Sequence, residues 1–397
     1  MSREWNELAV QKVPPMELKS KLQLPVKTLT SPGPTNCSER VLNSLKNQII
    51  GHLHPEICQL MDEIKLGLQY VFQTKNRLTL VLSSSGHSGI EASLGNLLEP
   101  GETIIIVKTG IWGERAAETA NRLGAHVVLL ETKQNEAVTL DELETALMKH
   151  RPAAVFMVQG ESSTGVKQPL EGMGDLVHKY NALLIVDVVV SLVGEPFYMD
   201  SWGIDVAYTG SQKALGAPPG LTPISFGPRA EEKLFRRKTK PFSFYWDMSI
   251  LGIYWKCFGN KDRAYHHTVS VTLLYGLREA LAEIAEEGLP AAWSRHAAAA
   301  ARLRKGLELR GLRCYVKIPR YQLSTVTAIE LPSGVDEMII VQRAMATYKV
   351  EIGRGLGPTM GQILRIGLLG INAKSETVDL VLRALDEGLK HASRPKL

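Results

Sequence analysis

A lysine closes a strand-like run at Tyr208-Thr209-Gly210-Ser211-Gln212-Lys213-Ala214-Leu215. At the end of a parallel strand an ε-amine can sit in a desolvated cleft, where it turns nucleophilic and condenses with a carbonyl. A solvated surface lysine is the alternative, and the neighbouring residues decide between them. Twenty-six residues upstream, Leu183-Leu184-Ile185-Val186-Asp187 puts a carboxylate at the end of an apolar run. A charge buried there costs several kcal/mol unless a cation meets it. A protonated pyridine nitrogen is such a cation; a helix cap or a structural ion pair is the other reading of this acid.

Three further elements have suitable chemistry. Ser85-Gly86-His87-Ser88 lies between a strand and a helix, where glycine and a helix N-terminus suit a phosphate, although Ser/Gly turns precede many helices. Trp112, in Gly110-Ile111-Trp112-Gly113, could lie flat on an aromatic ring or pack in a core. Arg365, inside Leu364-Arg365-Ile366-Gly367, is half of an ion pair or a bidentate clamp for a substrate carboxylate. Phosphate loop, stacking aromatic, strand-end acid, strand-end lysine and distal arginine form, in chain order, the layout of a pyridoxal-phosphate enzyme of the aspartate-aminotransferase fold type.

The elements that must position these residues alternate. Leu78–Ser83, Thr103–Val107, His126–Leu130, Ala153–Val158, Ala182–Val188 and Ile204–Tyr208 are short apolar runs, and helical patterns such as Ile90–Leu98 and Gly113–Leu123 intervene. Near-continuous apolar strands joined by helices imply an α/β domain with a mainly parallel sheet covered on both faces. Its ligands belong at the strands' C-terminal ends. A long helix over Thr268–Glu287 ends at Gly288, and a second runs from Pro290 to about Leu309. Strands at Cys314–Ile318, Val326–Leu331 and Lys349–Ile352, with helices at Asp336–Thr347 and Ser375–His391, suggest a smaller α+β domain. The expected division is an N-terminal arm over 1–24, a large domain over 25–287 and a small one over 288–397.

Composition limits the alternatives. At 397 residues the chain exceeds one compact domain, and 44% hydrophobic residues exclude a disordered chain. The formal charge of +5 is concentrated at Arg236-Arg237-Lys238-Thr239-Lys240 and the Arg394/Lys396 tail. That suits anionic metabolites and, without a recognition motif, not nucleic acid. Cys37, Cys58, Cys257 and Cys314 form no CxxC and have no histidine at metal-ligand spacing, so no metal is expected and the thiols read as unpaired in a reducing compartment. The longest apolar run, Ala182–Gly194, is interrupted by Asp187 and falls short of the ~20 residues that span a bilayer. Glu4, Glu7 and Glu17 argue against a signal or transit peptide. Pro395-Lys396-Leu397 differs from the peroxisomal Ser-Lys-Leu address at one position, which gives a peroxisomal expectation with cytosol or mitochondrion as alternatives.

The wording of the chain closely resembles the alanine:glyoxylate (serine:pyruvate) aminotransferases of the class V aminotransferase group. The matching stretches are Ser31-Pro32-Gly33-Pro34-Thr35-Asn36, Met61-Asp62-Glu63-Ile64-Lys65, Tyr70-Val71-Phe72-Gln73-Thr74, Gly110-Ile111-Trp112-Gly113 and Gly160-Glu161-Ser162-Ser163-Thr164-Gly165. They continue with Gly210-Ser211-Gln212-Lys213-Ala214-Leu215, Ala217-Pro218-Pro219-Gly220, Tyr265-His266-His267-Thr268 and Leu364-Arg365-Ile366-Gly367-Leu368-Leu369-Gly370. The resemblance implies pyridoxal 5'-phosphate as cofactor, joined to Lys213, which would also move the proton between Cα and C4′. It implies Asp187 on the pyridine nitrogen, Trp112 on the ring face, Ser162 on the phenolic side, and Ser85, Gly86, His87 and Gln212 around the phosphate. Tyr265 and Thr268 would reach the neighbouring subunit's phosphate, so a homodimer is implied. Arg365 would grip the carboxylates of the amino acid and the oxo acid, with the Ser31 to Gly33 backbone close by.

Some positions depart from the family's pattern. Thr30-Ser31-Pro32-Gly33-Pro34 stands for Leu-Gly-Pro-Gly-Pro, valines occupy the small positions 188, 190 and 193, and Arg354-Gly355-Leu356-Gly357-Pro358 replaces Gly-Gly-Leu-Gly-Pro. Each of Ser31, Val188, Val190, Val193 and Arg354 is expected to add bulk near the cofactor floor or substrate mouth, where unaccommodated methyls cost about 1–3 kcal/mol. The expected reaction is transfer from alanine, or serine, to glyoxylate or pyruvate. A 3-hydroxykynurenine transaminase and a cofactor-binding homologue with impaired catalysis are the rival readings. A cysteine desulfurase fits poorly, because it wants a stacking histidine and a cysteine on a mobile loop.

Overall fold

The computed structural model describes residues 15–133 and 135–392. The Pro395-Lys396-Leu397 ending and the first fourteen residues of the expected arm lie outside these.

A seven-stranded sheet forms the larger layer. Its strands are β2 (Leu78–Leu82), β3 (Thr103–Lys108), β4 (His126–Glu131), β5 (Ala154–Val158), β6 (Leu183–Asp187), β7 (Val206–Tyr208) and β8 (Thr222–Phe226), in the spatial order β2-β8-β7-β6-β5-β3-β4. β7, β6, β5, β3 and β4 run parallel, while β8 is antiparallel to both its neighbours. Every residue of β2, β5, β6 and β8 is buried, because helices cover both faces and leave no side for polar residues. The apolar runs thus end up as the expected mainly parallel sheet.

β8 was not legible. Pro223 sits inside it, and an interior proline argues against a central strand because it cannot donate to the ladder. Here the Pro223 carbonyl accepts from Thr209 N–H, so the strand is held on its acceptor side. Helix α1 (Pro55–Phe72) also escaped the sequence reading, although Ile57, Met61, Ile64, Leu68 and Val71 are buried at helical spacing.

Helices α2 (His87–Leu97) and α3 (Ile111–Arg122) follow β2 and β3 directly, so their N-termini open at the C-terminal edge of the sheet. α4 (Val271–Glu287) and α5 (Leu289–Glu308) meet at Gly288, whose φ of 82° is a conformation glycine adopts without strain.

A four-stranded sheet makes the second layer, with β1 (Thr28–Thr30), β9 (Val326–Glu330), β10 (Val350–Arg354) and β11 (Ile363–Gly367) in the order β1-β10-β11-β9. Helix α6 (Ser375–Ala392) packs its apolar face into a core shared with this sheet. β1 pairs in parallel with β10, so the segment placed with the large domain hydrogen-bonds into the C-terminal sheet instead. The expected strand over Cys314–Ile318 is only a single bridge between Cys314 and Ile329, because Pro319 opens a 3₁₀ turn and draws the chain away. The helix expected to reach Thr347 ends its α-helical part at Arg343 and passes into a π-helical turn over Ala344–Tyr348. Among the described residues no helix is long and apolar enough to cross a membrane.

Candidate active site

Lys213 leaves β7 on a turn pinned at several points. Thr209 N–H donates to Pro223 O, Ser211 N–H to Leu221 O, and Ser211 Oγ to Pro218 O at 2.6 Å. The Lys213 amine donates to the Pro32 carbonyl at 2.6 Å. Gly33 follows at φ 106°, and a Cβ there would lie 2.5 Å from Lys213 Nζ. The β1 loop therefore fits over the lysine only through glycine. Burial, together with Arg365, pushes the amine down to about 8 against the pull of Asp187.

Asp187 ends β6 and is 3% exposed. Its Oδ1 accepts from Val189 N–H at 2.8 Å and its Oδ2 from the Tyr208 hydroxyl at 2.7 Å. Burial raises its carboxyl to about 6 in spite of these bonds and the Lys213 charge. Among the described residues no cation lies within salt-bridge distance of Asp187, so the ion-pair reading fails; its Oδ1 caps only the turn that follows β6, where no helix begins, and a buried acid is left on the cavity wall.

That cavity measures about 320 Å³, and Asp187 and Lys213 share its wall with Ser85, Gly86, His87, Trp112, Ser162 and Gln212. Gly86 and His87 stand at the start of α2; the Ser88 and Gly89 N–H groups donate to Ser85 O and Gly86 O, and the positive end of the helix dipole faces the cavity. Gln212 Oε1 is buried without a partner, and rotation of its amide lets the side chain offer either a donor or an acceptor. Trp112 is the second residue of α3; its indole N–H donates to Ser162 Oγ at 2.7 Å, and the Arg115 guanidinium lies 5.2 Å from its ring centroid.

Arg365 is held from β11 by two carbonyls: Nε donates to Arg354 O at 2.7 Å and Nη1 to Ser162 O at 3.0 Å. Burial lowers its guanidinium, opposed by Glu161. No carboxylate pairs with it among the described residues, which leaves the clamp reading. It borders a neighbouring groove of about 680 Å³ that also takes in Arg354, Gly353 and Lys27, and not the Lys213 cavity, whose Ser162 it reaches only through the carbonyl bond.

Other expected residues stand elsewhere. Tyr265 is 55% exposed, its hydroxyl is 3.3 Å from Thr268 Oγ1, and neither residue lines the Lys213 cavity. The Ser31 carbonyl accepts from Gly33 N–H and packs where a Cβ on Gly367 would fall, so this residue shapes the loop over Lys213. Of the three valines expected to crowd the site only Val190 lines the cavity; Val188 and Val193 are buried in the hydrophobic core. The chain turns after Asp187, so alternate residues no longer share a face. Arg354 directs its guanidinium to Glu337 Oε1 at 2.6 Å, while its residue borders the Arg365 groove.

Sequence reasoning missed Tyr208, Val189 and Glu161. In the sequence Tyr208 is one more residue of an apolar strand run, and Glu161 carries no signal of its own within Gly160-Glu161-Ser162-Ser163. Burial raises the Glu161 carboxyl to about 7, against bonds from Ser163 and Trp112 and with Asp187 adding to the rise. Together the residues fit a flat ligand with an anionic end, a carbonyl and a cationic ring nitrogen. The uncompensated Asp187 carboxyl and the unpaired Gln212 amide are the observations that call for one.

The class-V aminotransferase family model matches residues 29–381. An alanine–glyoxylate aminotransferase of Felis catus is 51% identical over 97% of this chain and 92% of its own length. One of Drosophila melanogaster is 49% identical over 95% and 96% respectively. A crystal structure of an alanine–glyoxylate aminotransferase from Nostoc sp. superposes with a TM-score of 0.90 at 42% identity, covering 93% of this chain and 97% of that one.

Proposed function

The chain belongs to the class-V aminotransferase family, and on that premise we infer that it is a pyridoxal-phosphate-dependent aminotransferase carrying the amino group of alanine to glyoxylate. The observation that carries the reading is the sharing of one cavity by the desolvated Lys213 amine and the unpaired Asp187 carboxyl. The names of the relatives support the substrate pair.

When bound, the cofactor supplies an electron sink that acidifies the donor's Cα proton. Lys213 would hold its aldehyde carbon, and Asp187 would keep the ring nitrogen protonated. The α2 N-terminus with Ser85, Gly86, His87 and Gln212 would bind the phosphate, and the Trp112 indole would cover the ring. The Lys213 amine, near 8 through burial, takes the proton from Cα and returns it on the other side of the transfer, the task that calls for an amine close to neutral pH. Arg365 orients each substrate by its carboxylate. A cavity of about 320 Å³ lies at the small end for ligand clefts, and Val189 and Val190 on its wall favour a small donor side chain.

A matrix of alanine, serine and 3-hydroxykynurenine against glyoxylate and pyruvate tests this. Alanine with glyoxylate is expected to be fastest, and Lys213→Ala to lose turnover and the visible absorbance of covalently held cofactor. Faster use of 3-hydroxykynurenine would move the assignment to an aromatic-donor transaminase, and cofactor absorbance without any amino transfer would leave a binding protein only.

The active form is proposed to be a homodimer in which the exposed Tyr265 and Thr268 complete the partner's phosphate site. Mixing Lys213→Ala with Tyr265→Ala protein, each inactive or weak alone, then restores about a quarter of normal activity through mixed dimers with one intact site. Activity no greater than the sum of the parents would refute shared sites.

A further inference from the structure

Glu161 is fully buried beside the cavity, and the mechanism above gives it no task. Its Oε1 accepts from Ser163 N–H at 3.0 Å and from Ser163 Oγ at 2.6 Å, and its Oε2 accepts from the backbone N–H of Trp112 at 3.2 Å. Ser163 Oγ in turn accepts from Ile111 N–H at 3.2 Å, and Ser162 Oγ accepts from the Trp112 indole at 2.7 Å. Three consecutive residues of one turn therefore each hold a different atom of the Ile111–Trp112 pair. The Ser162 carbonyl of that turn also holds Arg365.

The arrangement replaces an ordinary cap. Helix α3 begins after Gly110, which has no side chain with which to cap it, and a Cβ on Gly110 would lie 2.5 Å from the Glu161 carboxyl carbon and from Ser163 Oγ. The first N–H groups of a helix need acceptors, and its dipole favours a negative charge at that end. The Glu161 oxygens supply the acceptor from another strand connection, and above about pH 7, where the carboxyl is ionised, the charge as well. This ties the orientation of Trp112 to the 160–165 turn rather than to α3's own start.

We propose that Glu161 is a positioning residue that sets the plane of the Trp112 indole in the cavity and, through the same turn, the reach of Arg365. The link to cofactor binding rests on the aminotransferase reading; the link to Trp112 does not. Glutamine is the informative replacement. Both carboxylate oxygens accept from N–H groups, so one end of an amide must face a donor with a donor.

The test compares Glu161→Gln, Trp112→Phe and the double variant without cofactor, above about pH 7 where Glu161 is ionised. Subtracting the Trp112→Phe spectrum in each background isolates Trp112 fluorescence from that of the other five tryptophans. In Glu161→Gln the isolated emission is expected to move to longer wavelength and to be quenched more readily by acrylamide. After loading, pyridoxal phosphate binds about tenfold more weakly, as one lost charge-assisted bond predicts, with no further loss on adding Trp112→Phe. Unchanged Trp112 emission, or weakening that is fully additive with Trp112→Phe, overturns the proposal. Should Glu161→Gln not fold, Ser163→Ala removes one donor to the carboxylate and the Ile111 acceptor. A smaller change of Trp112 emission in the same direction supports the proposal, and none overturns it. Failure of the unaltered protein to bind pyridoxal phosphate would strike the aminotransferase reading and leave the emission result standing.

Discussion

Asp187 and Tyr208 are register partners on the adjacent parallel strands β6 and β7, and the Tyr208 phenol donates to Asp187 Oδ2 at 2.7 Å. The tyrosine is itself fully buried and takes the space where a side chain on Gly89 of α2 would be, 2.2 Å from its ring. A neutral donor thus steadies the buried acid without neutralising it, and on the reading proposed above the cationic partner would come from the cofactor.

Replacing Tyr208 by Phe removes a bond that favours the ionised carboxylate. The Asp187 carboxyl then rises further above about 6, by roughly one unit for the loss of one hydrogen bond to a charge. Because the proposed binding of the ring nitrogen needs Asp187 ionised in the cofactor-free protein, the acidic limb of pyridoxal-phosphate affinity against pH moves to higher pH. A profile superimposable on that of the unaltered enzyme would show that the bond does not tune the acid.

Asp187 carries a stability cost in the cofactor-free protein. Its folded value of about 6 exceeds the unfolded value near 3.9, so full stability is present below about pH 4 and is lost as pH rises through 6. Asp187→Asn escapes the loss, since its amide can donate to Tyr208 and accept from Val189. Thermal unfolding without cofactor should show the variant more stable at pH 8 by on the order of 2–3 kcal/mol, with the advantage gone near pH 4, while transamination disappears.

Gly33→Ala places a methyl group 2.5 Å from Lys213 Nζ on backbone at φ 106°. Holding alanine there costs about 1–3 kcal/mol, and the amine must leave the Pro32 carbonyl. Expected are a kcat lower by about a hundredfold and a smaller fraction of cofactor trapped on Lys213 by borohydride. Wild-type trapping would mean the loop yields without disturbing the lysine.

Arg365→Lys keeps the charge but not the fork that spans Arg354 O and Ser162 O. Losing bidentate, charge-assisted grip on a carboxylate costs about 2–3 kcal/mol. The KM values for alanine and glyoxylate should therefore both rise roughly a hundredfold, with the cofactor's spectrum unchanged. A rise for one substrate alone would separate their carboxylate sites.

Lys213 and Asp187 could be found in the sequence because each is a polar residue ending an apolar run, and Arg365 because it interrupts one. The parallel layer was legible for the same reason: burial on both faces leaves a strand no polar alternation. Pro223 hid β8, since the rule against interior prolines concerns the donor side and this strand is held by its carbonyl. Tyr208 and Glu161 were hidden because their importance lies in partners 21 and 49 residues away.

The sequence by itself determined which chemical groups the protein owns and where along a strand–helix alternation they fall, because apolar spacing is a local property. Only the tertiary structure decided that β6 lies beside β7, so that Tyr208 meets Asp187. It alone placed Val190 on the cavity wall while Val188 and Val193 went to the core, and turned the Arg354 guanidinium to Glu337. Strand order, and the desolvation that moves Lys213, Asp187 and Glu161 toward neutral pH, arise from many distant residues closing around one point.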